Sequence, residues 1–174
     1  MHIQKLEDQE KNDKDETEIF FNMDARTLEK RADEFFISGD LEKAFVLLDH
    51  ANIKEPHNAE ILGKIGFILA KLGRDNEAIS YYQEALNSDY DNEMLHNALA
   101  SLYRKNGVYE KAQNHYEESL KINSSYDITY YNYGNLLADM QRKSEAYEMY
   151  KKALELNPDF TEAKEEMTKL EGSI

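Results

Sequence analysis

Histidines, carboxylates and serines are the side chains with which this chain could do chemistry, and their spacing argues against it. Five histidines, His2, His50, His57, His96 and His115, are scattered through 174 residues. No two stand three or four apart on one helix, the spacing that would aim two imidazoles at one metal ion. His96 falls in a column of aromatic core positions and His115 lies beside another, so both read as packing or surface residues. The adjacent pairs Glu117-Glu118 and Glu165-Glu166 point about 100° apart around a helix, which suits solvated faces better than a general acid and base. No G-x-S-x-G turn and no glycine-rich phosphate loop occur. Cysteine is absent, so neither a disulfide framework nor a thiolate metal site is available. The expectation is a non-enzyme with no catalytic residue, no metal site and no cofactor.

Side chains that bind rather than react must still be positioned, and here the positioning elements are helices. Proline stands only at Pro56 and Pro158, and Leu, Ala, Glu and Lys recur throughout, a helix-forming composition. The chain also repeats itself. Ala44, Ala78, Ala112 and Ala146 lie 34 residues apart, as do Leu48, Tyr82, Tyr116 and Tyr150, and Ala51, Ala85, Ser119 and Ala153. Gly39, Gly73 and Gly107 keep the period, with Gln141 in the fourth place, and Ala32, Gly66, Ala100 and Gly134 form a further column. Ala146, Tyr150 and Ala153 step by four and three and so share one helix face. Tyr130, Gly134 and Leu137 make the matching stripe on the preceding helix. The period predicts pairs of antiparallel helices turning near the glycines. Small residues let the partners approach, and stacking of pairs makes a continuous core.

The fourth copy, residues 127–160, resembles a tetratricopeptide repeat. Tyr130, Tyr133-Gly134, Leu137, Ala146, Tyr150, Ala153 and Pro158 fill that family's pattern. The third copy offers Leu99-Ala100, Tyr103, Gly107, Ala112, Tyr116 and Leu120, and the second Ile65-Gly66, Leu69, Gly73, Ala78, Tyr82 and Ala85. The first copy is weaker, with Arg31 and Asn52 where leucine is usual. The resemblance implies an all-α fold, a right-handed superhelical solenoid of antiparallel helix pairs. Its repeats would be 25–58, 59–92, 93–126 and 127–160, followed by a capping helix and tail at 161–174. Phe160, Ala163, Met167 and Leu170 line one side of that helix, and Asp159 and Glu162 have the spacing of a capping box. Residues 1–24 carry Lys5, Lys11 and Lys14 against eight carboxylates, a composition that reads as disordered. Within them Ile19, Phe20 and Phe21 form an apolar knot expected to dock on the first repeat, the alternative being a plug in the groove.

The resemblance further implies that the first helix of each repeat lines a concave groove holding a peptide or protein segment. The stripe beside the core holds Arg26, Glu29, Asp33 and Phe36 in the first repeat, and Phe67 and Lys71 in the second. In the third it holds Met94, Asn97, Ser101, Arg104 and Lys105, and in the fourth Tyr131 and Asn135. Phe36, Phe67, Met94 and Tyr131 would supply apolar contacts, and Lys71, Arg104 and Lys105 a basic cluster. The competing reading packs the apolar groups between helices and pairs the basic ones with carboxylates. Chaperone adaptors of this family grip a C-terminal carboxylate with Lys, Asn and Arg. Those places hold Glu29 and Asp33, then Lys64, then Asn97 and Ser101, so Hsp70 and Hsp90 tails are not expected partners.

With 21 Lys and Arg against 35 Asp and Glu, the net charge is −14, which repels nucleic acid and anionic lipid. The N-terminus lacks a targeting pattern, and no run approaches the roughly 18 apolar residues of a membrane span. The expectation is a cytoplasmic adaptor, monomeric or weakly dimeric, with a protein or peptide ligand. Two alternatives stay open: a small acidic secretion or assembly chaperone, and a self-associating scaffold.

Overall fold

Each helix begins where an oxygen can take an orphaned amide, and at several of the described helices that oxygen belongs to a side chain. In the computed structural model, which describes Phe20 and residues 22–172, α1 spans Ala25–Ser38, and the Asp24 carboxylate accepts from the Thr27 amide at its start. Asp40 caps α2 (Leu41–Lys54) and Asn58 caps α3 (Ala59–Lys71) in the same way. The helix α4 covers Asp75–Ser88. Asn92 caps α5 (Glu93–Lys105) through the Leu95 amide. The remaining helices are α6 (Tyr109–Ile122), α7 (Asp127–Asp139), α8 (Lys143–Leu156) and α9 (Thr161–Glu171). No strand occurs among the described residues.

The turns inside the pairs require a left-handed residue, which glycine enters without a Cβ penalty. Gly39, Gly73 and Gly107 have φ of 85°, 77° and 73°. A Cβ built on any of them meets nothing within 4 Å, so the demand is of the backbone alone. The fourth turn puts Gln141 at φ 61°. Gly107→Val is therefore expected to lose about 1–2 kcal/mol, whereas Gln141→Gly, which removes the same strain, should lose nothing. Thermal melts of the two variants check this, and an unchanged melting temperature for Gly107→Val would move the turn elsewhere.

The described helices fall into two compact units, Met1–Ser88 and Asp89–Ile174. In the first, α1 packs on α2, α2 on α3, and α3 on α4. Its interior is mostly aliphatic: Leu28, Leu47, Leu48, Ile61, Leu62, Ile65 and Leu69 are fully buried, as are Ala44, Ala51, Ala78 and Ala85, and Tyr82 is its buried ring. Phe20 is half-buried, its ring 6.4 Å from that of His50 and under the Arg31 guanidinium at 5.5 Å. Arg31 thus replaces a core leucine by covering an aromatic ring. The other two members of the apolar knot, Ile19 and Phe21, lie outside the described residues, as does residues 1–18.

The second unit pairs α5 with α6 and α7 with α8, and α9 closes on α8. Its interior is more polar. Tyr116 and Tyr150 are buried rings, and His96, Asn97, Ser119 and Thr129 are buried polar groups. They are partnered: the Ser119 hydroxyl reaches the Glu93 carbonyl and the Thr129 hydroxyl, each at 2.9 Å. Asn123 and Asn157, one period apart, tie back to Glu93 and Asp127 at the starts of α5 and α7. The expected capping box at α9 does not form. That helix has Phe160 at its N-cap with no side-chain cap. Asp159 lies one residue too early, its amide engaged by the Asn157 side chain at 3.3 Å.

Candidate binding surface on the first helices

In the first unit the surface belongs to α1 and α3. Glu29, Asp33 and Phe36 follow a three-to-four residue step along α1, and Gly63, Phe67 and Lys71 do the same on α3. The two stripes meet. The Phe36 and Phe67 rings lie 5.6 Å apart at 58°, a tilted contact typical of aromatic pairs. Both remain open to solvent, at 37% and 43% exposure. Beside them lies a crevice of about 310 Å³ lined by Asp33, Phe36, Leu48, Gly63, Lys64, Phe67 and Ile68. The Lys71 ammonium sits 5.3 Å from the Phe67 ring centroid.

Charge is arranged differently at the two ends of this stripe. Lys64 is 3.0 Å from Glu29, 3.3 Å from Glu60 and 3.7 Å from Asp33. Burial works against its charge, but the Glu29 hydrogen bond and the neighbouring carboxylates outweigh it and hold its pKa above the ordinary lysine value. Arg26 lies further along the same face, lining a hollow of about 1000 Å³ with Glu29, Lys30, Glu60 and Lys64. Lys71, by contrast, touches an aromatic ring and makes no ion pair among the described residues. The period explains this. Lys64 and Glu29 are 35 residues apart, one period plus one, whereas the residue 35 before Lys71 is Phe36, which offers no carboxylate, and the ring that Lys71 meets is Phe67 on its own helix.

In the second unit the corresponding stripes run on α5 and α7, and their polar groups are largely spent on each other. Asn97 is buried and accepts from Asn132 at 3.1 Å. The Ser101 hydroxyl donates to the Asn97 carbonyl and meets the Tyr116 hydroxyl, both at 3.0 Å. Arg104 is held by Asp139 at 2.7 Å, so it is a paired cation rather than a free one. Asn135 accepts from the Tyr150 hydroxyl at 2.8 Å. Tyr131 is half-buried, its ring 6.0 Å from Tyr150 and 4.8 Å from Phe160. Met94 stands out at 57% exposure and Lys105 is exposed. The contacts Lys64–Glu29, Arg104–Asp139 and Asn132–Asn97 all span 35 residues. Successive first helices therefore pair one period plus one apart, a signal the sequence contained.

A constellation that sequence reasoning passed over also lies in this unit. His96 and His115, each of which the sequence reads as a packing or surface residue, face each other across α5 and α6 with their Nδ1 atoms 2.9 Å apart. Gly107, in the turn that joins α5 to α6, lies between the two in sequence. Among the described residues no group of three or more His, Cys, Asp or Glu is placed to hold a metal ion. No helix among them is long and apolar enough to cross a membrane.

Repeated helical hairpins with close-packing columns at one register define a helical-repeat protein. Two family models described as tetratricopeptide repeat match residues 35–102 and 90–159, together well over half of the chain, and the chain belongs to that family. The human protein O-mannosyl-transferase TMTC2 is 31% identical over 115 residues, which is 62% of this chain and 14% of that protein. The chain thus spans a small part of that relative's length. A crystal structure of MamA protein superposes with a TM-score of 0.75 at 21% identity, covering 85% of this chain and 81% of that one. The first tetratricopeptide domain of Spaghetti (RPAP3), bound to the HSP90 peptide SRMEEVD, superposes with a TM-score of 0.65 at 28% identity. That match covers 67% of this chain and 92% of the domain.

Proposed function

We propose that this chain is a non-enzymatic adaptor that holds a peptide or protein segment against the first helices of its repeats, with Phe36, Phe67 and Lys71 as the principal contact. The observation that carries this reading is the exposed aromatic pair beside an unpaired ammonium in a protein of net charge −14. Exposed apolar groups in contact are rarely idle, and an aromatic in a crevice is the usual anchor of an interface. Lys71 adds a preference for a carboxylate next to the ligand's apolar side chain. The bound peptide of the Spaghetti domain supports the class of ligand. The clamp positions differ here, because Glu29 and Asp33 are carboxylates and Lys64 is already occupied by them.

Selection from a random peptide library should therefore yield segments in which a bulky apolar residue neighbours Asp or Glu. Phe67→Ala should weaken them by about 1–3 kcal/mol with little change in melting temperature. Lys71→Glu should weaken them further and reduce the salt dependence. The peptide SRMEEVD should bind no better than its C-terminal amide. A Phe67→Ala variant that melts much lower while binding normally would sink this reading, because Phe67 would then be a core residue.

A further inference from the structure

The second unit contains two imidazoles that the binding surface does not use. His96 on α5 is 1% exposed, and its Nδ1 lies 2.9 Å from the Nδ1 of His115 on α6. Its Nε2 is 3.0 Å from the carbonyl oxygen of Tyr90, in the turn before α5. The Tyr90 ring meets His96 edge-on at 5.1 Å, and the Tyr103 ring stacks on His115 at 5.7 Å.

These contacts assign every proton of the neutral pair. A carbonyl only accepts, so the His96 Nε2 carries hydrogen. A neutral imidazole has one N–H, so the His96 Nδ1 is bare and accepts. The His115 Nδ1 must then donate, which leaves its Nε2 as the free lone pair. One further proton fits there without disturbing either hydrogen bond. A second proton has only the His96 Nδ1 to occupy, where it would point at the His115 N–H across 2.9 Å. The closed pair holds at most one added proton, and the open pair takes two.

We propose that the His96–His115 pair is an acid-sensitive latch, in which uptake of the second proton parts the two Nδ1 atoms and loosens the Tyr90 turn and the first turn of α5, leaving the Ser119 and Asn123 bonds to Glu93 as the remaining ties of that turn to α6. The groups facing the pair are Glu118 on α6 and Asp91 in the turn, which favour protonation, and Lys111 on α6, which opposes it. Burial is the larger influence. It pushes His115 down to about 4, with the neighbouring His96 adding to the effect. It also lowers His96, against the pull of the Tyr90 carbonyl, Glu118 and Asp91.

The direction follows from proton counting. Histidine in the unfolded chain titrates near pH 6.5, and both folded values are depressed. The stabilisation is therefore complete above about pH 6.5 and is lost as the pH falls below it, because the opened state binds more protons. Each extra proton bound on opening multiplies the open population by about ten per pH unit.

The test uses the full chain labelled with ¹⁵N. Long-range ¹H–¹⁵N spectra at neutral pH should show His96 protonated at Nε2 and His115 at Nδ1. Hydrogen exchange then follows the amides of Leu95 and His96, which bond to the Asn92 side chain and carbonyl. Their protection should fall about tenfold or more per pH unit below pH 5, relative to the double variant His96→Gln, His115→Asn, which cannot titrate. Amides within α7 and α8 should keep their protection. Reversed tautomers, two histidines titrating near 6.5, equal slopes in wild type and double variant, or a uniform loss across α5–α8 would each overturn the latch. If the double variant does not fold, the tautomers and titration of the wild-type pair decide it alone.

Discussion

Replacing Tyr116 with alanine is expected to destabilise the second unit by about 3–5 kcal/mol, the range for emptying a buried aromatic site. Tyr116 lies on α6 with no exposed surface, and its ring stacks on Tyr133 at 5.8 Å and 22°. Its hydroxyl meets Ser101 at 3.0 Å on α5. The side chain therefore joins three helices, α5, α6 and α7, and the surrounding residues cannot collapse into its space without unstacking Tyr133. Tyr116→Phe separates packing from polarity. It keeps the ring and removes the hydroxyl that bonds Ser101 and the Arg104 guanidinium, a loss of about 1–3 kcal/mol. Denaturant unfolding followed by circular dichroism measures both. A loss below about 1 kcal/mol for Tyr116→Ala would mean that α6 does not face α5 in the register described.

A side chain added at Gly134 should be nearly as damaging for the opposite reason. A Cβ there would lie 2.6 Å from Cε1 and 2.7 Å from Cδ1 of Tyr150, closer than real contacts allow. The ring has nowhere to go: it is 1% exposed, its hydroxyl donates to Asn135, and Tyr131 packs beside it. Replacing helical glycine by alanine gains about 1 kcal/mol from propensity, which the overlap must overcome. Overpacking of this kind costs about 1–3 kcal/mol, so Gly134→Ala should be net destabilising and Gly134→Val considerably worse. Gly66 faces Tyr82 in the same way, with a nearest approach of 2.9 Å, so Gly66→Ala should be the milder change. The overlap can be isolated by a double-mutant cycle with Tyr150→Leu, in which the combined variant recovers part of the loss. If Gly134→Ala alone raises the melting temperature, the close approach of α7 and α8 is not at this residue.

The fold was legible because a repeated sequence states its constraints several times over. One glycine before a helix could mean many things, but Gly39, Gly73 and Gly107 at one period mean a turn, and all three adopt positive φ. The column of Ala32, Gly66, Ala100 and Gly134 likewise announced a close helix contact before any ring was placed against it. The surface was legible less evenly. Phe36 and Phe67 emerged as an exposed pair, while Arg104, read beside Lys71 as part of a basic cluster, is consumed by Asp139. Arg104 meets a carboxylate 35 residues on, at Asp139, whereas the residue 35 before Lys71 is Phe36.

By itself the sequence determined the helices, their pairing, the turns and the family, because these depend on local propensity and on a period that needs no knowledge of distance. Only the tertiary structure decided which polar groups neutralise each other. Asn97 and Ser101 were read as ligand contacts, and packing gave them partners on neighbouring helices, Asn132 and Tyr116. The His96–His115 pair was invisible for the same reason: its two members sit on antiparallel helices, and a hydrogen bond of 2.9 Å depends on how far those helices have approached. That approach is set by the side chains packed between them, which no pattern along the chain measures.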